Sequence, residues 1–148
     1  MSEPSLQALI DEAEIHRLLT RYAEALDTRD YAALDEVFTE NATSNYEGIG
    51  KFDGREAIRG LMRRALEQCG PTQHLLGTVR IELIDDSHAR ARCYLAAIHV
   101  GKGEYEGKLY TVWGEYRDRL EKVTAGWRIV HRELAGIHAE GDIGMDLS

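Results

Sequence analysis

Apolar residues recur at helical spacing along the first part of the chain. Within Ile15–Asp30 (IHRLLTRYAEALDTRD) they fall within about 60° of one direction when successive residues turn by 100°. This pattern predicts a helix that begins after Ser5, a suitable N-cap, and ends near Asp27. The apolar face carries Tyr22 inward. Asp27 lies in the last turn, where the helix dipole disfavours a carboxylate by roughly 0.3–1 kcal/mol, so it is either a solvated acid or a functional group.

Two further helices are predicted before the pattern changes. Tyr31–Phe38 reads as a short helix that packs under the first. Thr39–Tyr46 reads as a weak strand, followed by a glycine-rich bend and a short strand. Asp53–Glu56 has the form of a capping box, and apolar residues at helical spacing then run to Leu66.

From Thr72 onward the period of apolar residues changes to two, which is typical of β-strands. Four strands joined by short turns are predicted, at Gln73–Ile84, Ala89–Val100, Tyr105–Leu120 and Gly126–Ile137. Helices followed by strands indicate an α+β fold, in which three N-terminal helices pack on a strongly curved antiparallel sheet. Such a sheet forms a cone with an apolar pocket, and we expect residues 1–148 to make a single domain.

Composition narrows the classes of partner. The chain has 18 Lys and Arg against 26 Asp and Glu, a formal charge of −8, which disfavours nucleic acid and anionic membranes. It has no apolar run near about 20 residues and no basic N-terminal signal region, so we expect a soluble cytoplasmic protein. Cys69 and Cys93 lack metal-type spacing and read as buried thiols.

Two histidines are candidates for chemistry. On the second long strand His99 shares the apolar face of Cys93 and Leu95, so it points inward as a functional group or as a satisfied core histidine. His74 opens the first long strand, but strict alternation places it on the outer face as a strand-end residue. Only a β-bulge would turn it inward.

Arg132 and Tyr46 complete the candidate set. Arg132 shares a face with Leu134, and a guanidinium there requires a carboxylate or a polarised oxygen unless it reaches out to solvent at the sheet rim. Tyr46 is a phenol donor or a rim aromatic. An acid, two imidazoles, two phenols and a guanidinium around an apolar pocket suit proton abstraction and protonation of a leaving group. The sequence lacks a phosphate loop, GxSxG, a metal-ligand cluster and a dinucleotide fingerprint, so we expect no metal and no cofactor.

Four segments carry a family resemblance over nearly the whole chain: IHRLLTRYAEALDTRDYAALDEVFTENA, YEGIGKFDGREAI, TQHLLGTVRIEL and GWRIVHRELAGI. In this order they resemble the SnoaL-like branch of the nuclear-transport-factor-2-like superfamily. Within it the chain looks most like scytalone dehydratase, hexachlorocyclohexane dehydrochlorinase and bile-acid dehydratase, which run cofactor-free eliminations in a cone-shaped pocket.

The resemblance implies roles for the candidate residues. Asp27 and His74 match the catalytic aspartate–histidine dyad of this group, and on this basis we expect the bulge near Gly77. Arg132 matches an arginine that stabilises developing negative charge, and Tyr22 matches a helix tyrosine of the bile-acid enzyme. Tyr46 and His99 match substrate-binding residues of scytalone dehydratase. Leu26 replaces that enzyme's second helix tyrosine, and its strand asparagine has no counterpart, so no member's site is reproduced whole.

Two classes of function therefore stand. The first is a lyase or isomerase that acts on a hydrophobic ring-containing small molecule such as a steroid, polyketide, terpenoid or aromatic. The second is a non-catalytic ligand-binding module or a small structural subunit of a ring-hydroxylating oxygenase. Trp113, Tyr110 or Tyr116, depending on register, would lie on the sheet face that no helix covers. Such a face favours self-association, as a dimer or trimer.

Overall fold

A computed structural model describes residues 3–148, which form helices on one side of a six-stranded sheet. The helices are α1 (Leu6–Asp27), a 3-10 helix (Tyr31–Glu36), α2 (Arg55–Leu66) and a short 3-10 turn (Gly103–Tyr105). The strands are β1 (Phe38–Tyr46), β2 (Gly50–Asp53), β3 (Thr72–Leu83), β4 (His88–Val100), β5 (Leu109–Val123) and β6 (Gly126–Gly141).

Helix α1 begins and ends where the sequence predicts. The Ser5 hydroxyl accepts a hydrogen bond from the Ala8 amide at 3.0 Å, which satisfies one of the free amides of the first turn. The face that carries Ile15 and Tyr22 is buried completely, and Thr28 caps the other end. Packing of this face against the sheet fixes Asp27 at the point where the helix reaches β3.

Two local predictions were wrong in detail. The second helix is a 3-10 helix, and Phe38 belongs to β1 rather than to that helix. The capping box does not form, because Gly54 is the N-cap of α2, with φ +97°, and no side chain caps this helix. A glycine is suited to this position because it adopts positive φ without strain.

The sheet has the order β2-β1-β6-β5-β4-β3. The predicted α+β architecture with three helices on a curved sheet is confirmed. The sheet is mixed rather than wholly antiparallel, since β1 runs parallel to β6. These two strands are far apart in the sequence, so no tight turn dictates their relative direction. The sheet does not close, and β2 and β3 form its edges.

A one-residue bulge in β3 sets the direction of the side chains that precede it. Gly77 pairs with Tyr94 and Arg80 with Arg92, so between these pairs two residues of β3 lie opposite one residue of β4. Thr78, inside the irregularity, has φ +49°. The bulge puts His74 on the inner face, which confirms the prediction that strict alternation near Gly77 is broken.

The helices cover the inner face of the sheet and leave the outer face bare. Cys69 and Cys93 are both buried, as predicted. Outward positions of β4 carry exposed residues, among them Arg90, Arg92 and Tyr94.

Within residues 3–148, none of the helices combines the length and the apolar character that a membrane crossing requires.

Candidate active site

A cavity of about 350 Å³ lies between the two α-helices and the inner face of the sheet. Its middle is apolar, with side chains such as Leu61, Leu95 and Val112. Polar groups collect in two clusters on its wall. We call them the histidine end (His74, His99 and Tyr110) and the phenol end (Tyr22, Tyr46 and Tyr116).

At the histidine end the carboxylate of Asp27 contacts His74. The Asp27 Oδ1 atom lies 2.7 Å from Nδ1 of the imidazole, and Oδ2 accepts a 3.0 Å hydrogen bond from the backbone amide of His74. The side chain of His74 is 6% exposed and that of Asp27 is 25% exposed. The contact is possible because α1 ends beside the first residues of β3.

The partners of Asp27 favour its ionised form. Burial opposes ionisation, but hydrogen bonds from His74 and from the Thr72 hydroxyl, which lies 2.9 Å from Oδ1, lower the pKa of Asp27 below its ordinary value. An ionised carboxylate only accepts hydrogen bonds, so Nδ1 of His74 must carry a proton. In the neutral imidazole the lone pair then lies on Nε2, which is the nitrogen that can act as a base.

His99 stands beside this pair as a second, independently held imidazole. Its ring centroid is 5.8 Å from that of His74, and its Nδ1 atom donates to the carbonyl of Tyr110 at 2.8 Å. Burial lowers the pKa of His99, although the Tyr110 hydrogen bond acts in the opposite direction. His99 is therefore held as a neutral ring with Nε2 unprotonated. No group of three His, Cys, Asp or Glu side chains in residues 3–148 could hold a metal ion.

The phenol end gathers three tyrosines from α1, β1 and β5. The hydroxyl oxygens of Tyr22 and Tyr116 are 3.1 Å apart, whereas the buried hydroxyl of Tyr46 has no hydrogen-bond partner in the described chain. Burial raises the pKa values of Tyr46 and Tyr116 well above the usual range, so both phenols stay protonated. The Tyr22 hydroxyl also lies within reach of the Met62 sulfur, at 4.0 Å, so Tyr46 carries the O–H group at this end that is free to donate.

Arg132 lies behind the phenol end and does not line the cavity. Its guanidinium is fully buried and donates two 2.8 Å hydrogen bonds to Asp118. Burial disfavours its charge, but the adjacent Asp118 carboxylate raises the pKa of Arg132 well above its ordinary value. The guanidinium carbon lies 3.8 Å from the ring centroid of Tyr116 and 4.3 Å from that of Tyr22. Arg132 therefore contacts the phenols rather than the cavity.

The structure adds residues to the site that the sequence did not single out. Tyr110 and Tyr116 were candidates for the bare sheet face, but both line the cavity, and of the three aromatic candidates Trp113 alone lies on the outer face. The sequence pattern did not indicate Asp118, the partner of Arg132. Had the register of β5 been known, alternation along this strand would have identified its inward side chains. Tyr110 and Tyr116 are an even number of positions apart and share one face, whereas Trp113 lies on the opposite face.

The C-terminal segment after β6 contributes part of the cavity wall. Met145 and Leu147 line the cavity. Asp146 is fixed to the end of α2 by two hydrogen bonds with the side chain of Gln68, at 2.6 and 2.8 Å. No periodicity in this short segment indicated that role, because it forms neither a helix nor a strand.

A family model described as a SnoaL-like domain matches residues 7–133, a span that includes all the cavity residues except Leu134, Gly136 and those of the C-terminal segment. An uncharacterized protein of Mycobacterium tuberculosis is 31% identical over 130 residues, with 86% of each chain covered.

Solved structures extend the comparison. A protein from Novosphingobium aromaticivorans, provisionally described as an aromatic ring hydroxylase, has a TM-score of 0.83 and 25% identity over 95% of this chain and 96% of its own. The type-3 hexachlorocyclohexane dehydrochlorinase LinA of Novosphingobium barchaimii has a TM-score of 0.81 and 16% identity, with 97% of each chain covered, and so shares the fold. On the family match and the curated relative, this protein belongs to the SnoaL-like domain family, as its sequence resemblance predicts.

Proposed function

We propose that this protein is a cofactor-independent lyase or isomerase that removes a proton from a hydrophobic ring-containing molecule. The observation that carries the proposal is the 2.7 Å contact between Asp27 and His74, whose side chain lines an apolar cavity. A cavity of about 350 Å³ lies at the small end of ligand pockets, which suits one compact ring system.

In this proposal His74 is the base. Its Nε2 atom takes a proton from a substrate carbon, and Asp27 holds the ring and stabilises the imidazolium that results. In an elimination, the electron pair of the broken C–H bond forms the new double bond, and a leaving group departs from the neighbouring carbon with its own electron pair. In an isomerisation, the same proton returns to another carbon of the substrate.

The phenol end would bind an oxygen of the substrate. The free O–H group of Tyr46, next to the Tyr22–Tyr116 pair, is a donor for an oxygen on which negative charge develops as the proton leaves. Arg132 would act through the phenol rings that it contacts, because its hydrogen bonds to Asp118 hold it away from the cavity. His99, neutral and next to His74, would orient a leaving hydroxyl.

The comparisons support a chemical role without naming a substrate. The LinA neighbour is a hexachlorocyclohexane dehydrochlorinase, an activity that supports elimination as the reaction of this protein. The neighbour described as an aromatic ring hydroxylase favours the second candidate, a binding or structural subunit of an oxygenase. The two candidates differ in one respect, since only the first requires the Asp27–His74 pair for turnover.

We also propose that the protein is cytoplasmic and assembles with itself. The outer face of the sheet carries exposed apolar side chains, with Leu75 at 51%, Tyr94 at 46% and Ile137 at 65% exposed. A dimer or trimer that covers this face would remove them from water. Sedimentation of the purified chain at several concentrations tests this, and a monomer at every concentration would contradict it.

Proton abstraction can be tested before the natural substrate is known. The purified protein is incubated in D₂O with a panel of cyclic ketones and β-hydroxy ketones, and NMR follows the loss of signal from the protons next to the carbonyl. We expect the protein to accelerate exchange for some members of the panel. General base catalysis of this kind contributes about 100- to 10,000-fold, so His74→Gln should remove most of the acceleration.

The matched control is His88→Gln, which changes an exposed histidine at the start of β4. This variant should exchange the ketones as fast as the unchanged protein. Exchange that survives His74→Gln at full rate would overturn the proposal, and binding of ketones without exchange would favour the second candidate.

A further inference from the structure

Arg29, two residues after Asp27, has a backbone conformation that calls for an explanation. Its φ is +59°, and the only other non-glycine residue with positive φ in the described chain is Thr78. A left-handed conformation is strained for a residue with a Cβ atom, and glycine or asparagine would adopt it more easily. The side chain of Arg29 must therefore contribute something that a turn residue could not.

The guanidinium of Arg29 connects three segments around Asp27. Its Nη1 atom donates to the carbonyl of Leu26 and to the hydroxyl of Thr72, each at 2.8 Å. Its Nη2 atom donates to the carbonyl of Gly70 at 2.6 Å. The end of α1, the loop that precedes β3 and the first residue of β3 are thus held by one planar group.

The hydrogen bond from Arg29 to Thr72 fixes the direction of the hydrogen bond between Thr72 and Asp27. A guanidinium only donates, so the Thr72 oxygen is the acceptor in the contact with Arg29. The single proton of the Thr72 hydroxyl is then free for Asp27, whose Oδ1 atom lies 2.9 Å away. The chain of donors runs from Arg29 to Thr72 to Asp27.

Asp27 accepts hydrogen bonds from Thr72 and from His74. Its Oδ1 atom accepts from Thr72 and from Nδ1 of His74, and its Oδ2 atom accepts from the His74 amide. With Thr72 in place the carboxylate cannot rotate without breaking a bond. The orientation of the carboxylate in turn decides which nitrogen of His74 carries the proton.

We propose that Arg29 and Thr72 are positioning residues that hold the Asp27 carboxylate so that His74 keeps its proton on Nδ1. The inference rests on the proposed role of His74 as a base, and it adds two residues that touch neither the cavity nor a substrate. The strained backbone of Arg29 is maintained because its side chain ties the dyad to both α1 and β3.

NMR of the ring nitrogens of His74 in the protein without substrate tests this assignment. In the unchanged protein, the nitrogen shifts should report one tautomer with the proton on Nδ1. In Thr72→Val, which keeps the shape but lacks the hydroxyl, we expect a mixture of tautomers. The Nδ1 proton should then exchange with water about tenfold faster, because the carboxylate keeps only its two bonds to His74 and is held less firmly.

Arg29→Asn is the companion variant, because asparagine tolerates the left-handed conformation but lacks the guanidinium. It should reproduce the effect of Thr72→Val, whereas Thr72→Ser, which restores the hydroxyl, should return the single tautomer. Arg17→Gln removes an exposed guanidinium of α1 and is the control for a loss of charge alone.

Thermal unfolding of the same variants separates positioning from stability. If Thr72→Val and Arg29→Asn lower the melting temperature but leave His74 as one tautomer, the two residues are merely structural and the inference is wrong. The NMR measurement needs no substrate, so it stands apart from the ketone exchange assay. Failure of that assay with the expected tautomers would overturn the proposed function and leave the positioning role intact.

Discussion

Arg132 and Asp118 form a bidentate ion pair that is almost completely withdrawn from water, with side chains 0% and 1% exposed. Both N–H···O distances are 2.8 Å. Neither charge has another ion-pair partner within residues 3–148, and the phenol rings of Tyr22 and Tyr116 pack on the guanidinium. The pair therefore supports the floor of the phenol end and depends on both partners being present.

Asp118→Asn should destabilise the protein strongly, because it leaves the Arg132 charge buried without a counter-charge. Breaking a buried pair by removing one partner costs about 3–5 kcal/mol, so the free energy of unfolding in urea should fall by about that amount. Asp86→Asn, at an exposed turn position, is the control and should change it by less than about 0.5 kcal/mol. A similar small change for Asp118→Asn would contradict the role given to the pair.

His99 should make stability depend on pH in a defined window. Burial lowers its pKa in the folded protein, whereas an unfolded chain takes up the proton near pH 6.5. As the pH falls below about 6.5, the unfolded state gains a proton that the native state does not, and stability is lost until the folded pKa is passed. Above pH 7 this contribution is constant.

Urea unfolding between pH 5 and pH 7.5 measures the effect. The difference between the unchanged protein and His99→Gln should vary with a slope of at most about 1.4 kcal/mol per pH unit below pH 6.5. His16→Gln, at an exposed position of α1, is the control and should leave the slope unchanged. Parallel curves for the unchanged protein and His99→Gln would contradict the assignment.

The elements with strong periodicity were predictable from the sequence. The N-cap at Ser5 and the apolar face of α1 follow from residue spacing alone. The parallel pairing of β1 with β6 was not predictable, because it joins segments that no turn connects. Pairs such as Tyr22 and Tyr116, 94 positions apart, depend on this long-range register in the same way.

The prediction of the site residues also depended on whether local periodicity or long-range register places each of them. Alternation predicted that His99 points inward. His74 required the bulge near Gly77, which the sequence alone does not demand and which the family resemblance suggested. The partners of predicted residues, Thr72 for Asp27 and Asp118 for Arg132, were missed because a polar side chain on a strand has many structural explanations until its neighbour is known.

Replacing the free hydroxyl of Tyr46 should slow ketone exchange without lowering the stability of the protein. A buried polar group without a partner costs about 1–3 kcal/mol, so Tyr46→Phe should unfold at equal or higher urea concentration. The same variant should slow ketone exchange at least about tenfold, because a donor to the developing charge is lost. Tyr22→Phe, which breaks the 3.1 Å bond to Tyr116, should slow exchange and also lower stability. Full exchange activity in Tyr46→Phe would rule out the phenol as an oxygen ligand.

The bulge at Thr78 should be necessary for the direction of His74. Deleting Thr78 restores plain alternation in β3 and turns His74 to the outer face, so ketone exchange should fall to the level of His74→Gln. Thr78→Gly keeps the bulge and relieves the positive φ, so it should keep its activity. Circular dichroism checks that both variants fold. A folded deletion variant with full activity would contradict the account of the bulge.

A double-mutant cycle on Asp27 and His74 tests the central claim most directly. Ketone exchange rates are measured for the unchanged protein, Asp27→Asn, His74→Gln and the double variant. Residues that act as one unit are strongly non-additive, so each single change should reduce the rate about 100- to 10,000-fold and the double change should be no worse than His74→Gln alone. Losses that multiply in the double variant, or a single variant with the original rate, would contradict the dyad.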